Sequence, residues 1–130
     1  MLLGVTSLKS RRDKVDTVFS LVVRARDNHT CQNPKCGKTR AETVIQCSHI
    51  YSRRHKATRW DEKNAKALCF KCHLDWHSNP TEARELALTW MSEEELDALA
   101  RKAWTPTKIR KDEKEEIYKR LKARLEELEE

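Results

Sequence analysis

Apolar residues recur three and four positions apart in the first quarter of the chain, as Val15, Val18, Phe19 and Val22 with Arg, Lys and Asp between them. That spacing predicts an amphipathic helix over residues 9–28 that stops near Asp27-Asn28. The pattern then changes: residues 42–47 are short, alternating and partly β-branched, which predicts a strand delivering Ser48 and His49 to its end. A second strand is expected around residues 65–68, followed by a short helix from near His73 to Asn79-Pro80. Beyond Pro80 the reading is wholly helical. Leu86 and Trp90 stand at i,i+4 within residues 81–91, and Ser92-x-x-Glu95 is a capping box opening a segment to Ala103. Trp104-Thr105-Pro106 breaks that segment, and Ile117, Leu121, Leu125 and Leu128 then form one stripe among dense Lys and Glu. Such a stripe fits packing on the domain or pairing with a second copy. The predicted class is α+β, mostly helical: a two-stranded antiparallel ribbon plus helix with flanking N- and C-terminal helices. We expect one domain over residues 1–130, divided into the N-terminal helix (9–28), a metal-bound core (29–79) and a C-terminal helical extension (80–130).

Composition narrows this further. With 130 residues, 38% hydrophobic, 37% charged and two glycines, the chain can bury only a small core, so a metal staple would help it. The charge is uneven: residues 1–80 hold sixteen Lys and Arg against seven Asp and Glu, a balance of +9, and residues 81–130 hold eleven against fourteen, a balance of −3. A polyanion such as DNA or RNA suits the basic half. Residues 1–5 lack a long apolar region with a cleavage site, and no run reaches the ~20 apolar residues of a membrane span. A soluble protein of a reducing compartment is expected.

Two cysteine pairs, Cys31-x4-Cys36 and Cys69-x2-Cys72, lie thirty-two residues apart. Zn²⁺ takes four thiolates tetrahedrally, and each pair supplies one edge of that tetrahedron, so a structural zinc site is expected. Pro34 and Gly37 give the first pair a tight turn. Cys47, the fifth cysteine, reads as a small core residue.

A second constellation involves histidines. His73 and His77 are i,i+4 on a predicted helix, so one face can present both rings to a divalent ion. His49, at a strand end facing that helix, can take a proton from water as a neutral imidazole. Asn64 can orient the backbone or bind the ion through its amide oxygen. Between them, Arg53, Arg54, Lys56 and Arg59 can clamp phosphates, with Tyr51 or Trp60 lying against sugar or base. His29 and His55 read as ordinary surface residues.

Taken together, Cys-x4-Cys, the strand ending in Ser48-His49-Ile50, Asn64, and Leu68-Cys69-x2-Cys72-His73 resemble the HNH endonucleases of the ββα-metal class over residues 31–79. The string from Cys47 to His55, with Thr58-Arg59-Trp60-Asp61, is most similar to small phage HNH proteins, including NinG-type recombination nucleases. The resemblance implies His49 as general base, Asn64 as the residue fixing the active-site loop, and His73 and His77 as ligands of a catalytic Mg²⁺ or Mn²⁺. It also implies DNA as substrate, a role in recombination or packaging, and the cytoplasm of a bacterial host, with a homodimer through the C-terminal helix or other phage proteins as partners. One departure stands out: many members carry Asp or His before the general base as a further ligand, and this chain has Ser48. Other classes fit less well. A zinc peptidase would need Glu where Leu74 follows His73; an adaptor explains only the last helix; a non-catalytic zinc module that binds DNA needs none of His49, Asn64, His73 and His77.

Overall fold

The computed structural model describes residues 13–129. Helix α1 (Lys14–Arg26) begins where Asp13 accepts the Val15 N–H at 2.7 Å, so residues 9–12 of the expected helix lie outside the described residues. Val15, Val18, Phe19, Val22 and Val23 form its buried stripe, and Asp16 is buried beside them. The helix ends at Asp27; Asn28 and His29 both take left-handed conformations, φ 55° and 51°, which turn the chain sharply toward the first cysteine pair.

The ribbon consists of β1 (Ile45–His49) and β2 (Ala65–Cys69), antiparallel, with Ile45 opposite Cys69 and His49 opposite Ala65. β1 starts three residues later than its alternation predicts. The Thr39 carbonyl accepts the N–H groups of Glu42 and Thr43, at 2.9 and 3.1 Å, and this turn consumes the residues that read as strand. The strand runs on past Cys47 to His49, which stands at its end as expected. A 3-10 turn, Glu62–Asn64, leads into β2.

Four helices follow: α2 (Phe70–Ser78), α3 (Pro80–Trp90), α4 (Glu93–Ala103) and α5 (Lys111–Glu129). α2 starts three residues before the expected position because the Cys69 sulfur accepts the Cys72 N–H at 3.4 Å and acts as its cap. The capping box of α4 is formed as read, Ser92 Oγ accepting the Glu95 N–H at 3.1 Å and Glu95 Oε1 the Ser92 N–H at 3.0 Å.

Two apolar clusters flank the ribbon. In one, Leu121 of α5 joins the α1 stripe and Ala65, with Ile117, Tyr118, Leu125, Leu128, Cys47 and Trp60 around it, so the C-terminal stripe packs within the chain. In the other, Cys31, Ile45, Ala67, Leu68, Cys69 and Cys72 are covered by Trp76 of α2 and by Leu86 and Trp90 of α3. Trp76 and Trp90 stack at 5.7 Å, and the Trp90 indole N–H reaches the Gln32 carbonyl at 3.0 Å. Polar ties fix α1 to the ribbon. Asp27 accepts the Ala67 N–H at 2.9 Å, and Arg26 donates to the carbonyls of Glu62 and Ala65, both at 2.7 Å. No described helix is long and apolar enough to cross a membrane.

Candidate functional site

The four cysteines of the two pairs meet at one point, their sulfurs all within 4.8 Å of one another. Among the described residues they are the one group of three or more Cys, His, Asp or Glu that closes in this way. Cys36 Sγ and Cys69 Sγ are 3.8 Å apart, too far for a disulfide and close to the edge of a tetrahedron with Zn–S bonds of about 2.3 Å. Gly37, at φ +71°, closes the first turn. Asn33 holds it from within, accepting the Lys35 N–H at 3.0 Å and donating to Cys72 Sγ at 3.5 Å. Burial raises the Cys31 thiol and pushes Cys72 up to about 12. At Cys69 burial also opposes ionisation, but the Cys72 N–H and neighbouring thiols outweigh it and lower the thiol. Thiols crowded this closely are a donor set for a soft or borderline dication such as zinc, which deprotonates its sulfur ligands.

A cleft of about 680 Å³ opens between α1, β1 and α2. His49, His73 and His77 all line it, together with Gln46, Cys47, Trp76, Asp16, Arg24 and Arg53. Hydrogen bonds define which ring nitrogens carry protons. His49 Nε2 lies 3.0 Å from the Arg59 carbonyl, an acceptor only, so Nε2 donates and Nδ1 keeps its lone pair. His73 Nδ1 likewise donates to Gln46 Oε1 at 2.7 Å, which leaves its Nε2 free to face His77 Nε2 at 3.1 Å. That contact is an N–H···N hydrogen bond from His77 to His73, and its length also matches the separation of two ligand nitrogens each about 2.0–2.1 Å from one ion.

His49 is the more sheltered ring. Phe19 packs on it with centroids 5.5 Å apart, and burial lowers its affinity for a proton, only partly offset by the Arg59 carbonyl. It is a neutral base at neutral pH. Asn64 is fully buried and does not line the cleft. Its Oδ1 accepts the Tyr51 N–H at 2.8 Å, and its Nδ2 donates to the carbonyls of Tyr51 and Thr58 at 2.9 and 3.1 Å, so it ties both ends of the loop between the strands. Of its two anticipated roles the backbone-orienting one is realised, and its amide oxygen is taken. Ser48 is buried, its Oγ without a partner among the described residues, and it stays out of the cleft.

The basic loop differs from its reading in two places. Arg59 turns inward: its Nε and Nη2 reach the Asp16 carboxylate at 3.0 and 2.6 Å, leaving Arg53, Arg54 and Lys56 as the exposed cations. Trp60 donates its indole N–H to the same carboxylate at 2.8 Å and packs against the α1 cluster, while the Tyr51 hydroxyl points to the Leu96 carbonyl at 3.5 Å. In the sequence Asp16 is only one of the polar residues between the apolar positions of the helix; with α1 starting at Lys14 it stands in the first turn. Burial opposes its ionisation, but Arg59 and Trp60 hydrogen bonds and the charges of Arg59 and Arg53 hold it below the ordinary carboxylate value. His55 also has a partner, packing edge-to-face on Trp104. No family model matches the chain, and no curated protein or solved structure does.

Proposed function

We propose that the chain is a metal-dependent HNH endonuclease that hydrolyses DNA phosphodiester bonds. The observation that carries this reading is the convergence of three imidazoles on one cleft: a sheltered base with a free Nδ1 and a pair with facing Nε2 atoms. Charge supports the substrate class. The cleft's one carboxylate, Asp16, is already paired with Arg59 and Arg53, so Arg24 and Arg53 face an incoming strand without an opposing free acid.

His49 takes the proton of the attacking water, its Nε2–H···O=C bond to Arg59 keeping the ring in the required tautomer. His73 and His77 would hold Mg²⁺ or Mn²⁺, and a bound cation there supplies charge neutralisation for the phosphoryl oxygens and the departing 3′-oxygen. Gln46 orients His73, and Asn64 holds the loop that carries Arg53 and Arg54. The expected product carries a 5′-phosphate. The four-cysteine cluster would hold zinc and brace the ribbon against α2.

A supercoiled plasmid tests this. Nicking should require added Mg²⁺ or Mn²⁺ and fall at least about a hundredfold in His49→Ala with circular dichroism unchanged. Equal nicking by that variant removes His49 as the base. Binding without any cleavage by the parent protein would instead mark a non-catalytic DNA-binding module.

A further inference from the structure

With Tyr51 and Trp60 turned inward, the aromatic ring that meets the basic loop at the surface comes from another element. Trp104, the C-cap of α4, is 64% exposed. The His55 ring meets it at 4.4 Å between centroids and 65° between planes, and the Arg54 guanidinium stands 5.8 Å from its centre. Arg54 and His55 directly follow Ser52 and Arg53, which line the histidine cleft, so the backbone of the two residues that touch Trp104 lies within about 8 Å of chain from the cleft rim. Most of a large indole is left to water beside the exposed Arg54. Stacking on an aromatic face beside phosphate-binding cations is how sequence-tolerant sites take single strands.

We propose that Trp104, framed by Arg54 and His55, is a stacking platform for an unpaired base of the strand that enters the cleft. This deepens the nucleic-acid reading above and rests on it. The substrate class is a single strand, or a duplex with an unpaired segment, because in continuous duplex both faces of each base are already stacked. Arg54 contributes a phosphate contact next to the ring.

Fluorescence anisotropy with a short labelled single strand and its duplex, in low salt without added divalent ion, tests the assignment on the full chain. Trp104→Ala should weaken single-strand binding about tenfold or more and leave duplex binding within about twofold. Trp104→Phe should retain most of the affinity. Circular dichroism and metal content should match the parent protein for both. Single-strand affinity unchanged in Trp104→Ala overturns the proposal. So does an equal loss for both nucleic acids, which would make Trp104 a tether of the loop, and so does a parent protein that ignores single strands. The two readings fail separately. A protein that never nicks plasmid but binds single strands through Trp104 loses the nuclease assignment and keeps the platform; intact nicking with a neutral Trp104→Ala does the reverse.

Discussion

His49 sits between a phenyl ring and a carbonyl, and each contact has a consequence for acid. Burial lowers its proton affinity below the ordinary histidine value of 6.5, so the folded chain binds that proton more weakly than the unfolded chain. The stability it contributes is fully present above 6.5 and is lost as pH falls through the lowered folded value. The acid limb of nicking should follow the same group and lie below pH 6.5, where an NMR titration of the His49 ring would place it. Asp16 acts one step away, by fixing the Arg59 side chain whose own carbonyl holds His49. Asp16→Ala leaves the Arg59 guanidinium and the Trp60 N–H without their acceptor, and should destabilise by about 1–3 kcal/mol in urea titration. Under the nuclease reading it also lowers kcat about tenfold with little change in KM, an effect that should vanish in a His49→Ala background if it passes through that ring. That His73 and His77 share one helix face was legible from their i,i+4 spacing, whereas His49 and Asn64 were singled out through the strand pattern and the family resemblance. Asp16 was not, because its partners Arg59 and Trp60 lie more than forty residues away and an acid between the apolar positions of an amphipathic helix reads as solvated surface.

At the level of elements, the ribbon and α2 are joined through one residue. Cys69 ends β2, caps α2 and belongs to the four-sulfur cluster. Cys69→Ala therefore removes a helix cap and a ligand together, whereas Cys47→Ala changes neither. Cys47 is pushed up to about 12 by burial, so its thiol is a poor nucleophile. Metal analysis should find about one equivalent of zinc in Cys47→Ala and a large loss in Cys69→Ala, with α2 helicity lost alongside. Full zinc and unaltered helicity in Cys69→Ala would remove the cluster as a metal site. The helices and the ribbon were readable because their apolar periods are clean and their caps are local. Where the reading slipped, in the late start of β1 and the early start of α2, the cause is a side-chain or backbone bond that periodicity does not register: the Thr39 turn in one case, a sulfur cap in the other.

Across the whole molecule, the two apolar clusters are held by different chemistry, and that difference is measurable. α1 and α5 close on hydrocarbon, with Leu121 buried among Val15, Val18, Phe19 and Val22. The opposite cluster is built around the sulfurs themselves, with Trp76, Leu86 and Trp90 as its cover. A stripe such as Ile117 to Leu128 declares an apolar partner without naming it; the fold supplies α1, the helix that also carries Asp16 to the cleft and Phe19 to the His49 ring. Leu121→Ala should thus cost about 2–5 kcal/mol of stability, as buried leucine truncations do. Mild chelation attacks the other side. Amide hydrogen exchange after treatment with a zinc chelator should show α2 and α3 losing protection first, with α1 and α5 persisting as a helical pair. His73 and His77 ride on α2, so the paired imidazoles should disperse in the same step, while His49 keeps its contact with Phe19. Simultaneous loss of protection in all five described helices would mean that the thiolate cluster supports the entire fold rather than one flank of the ribbon.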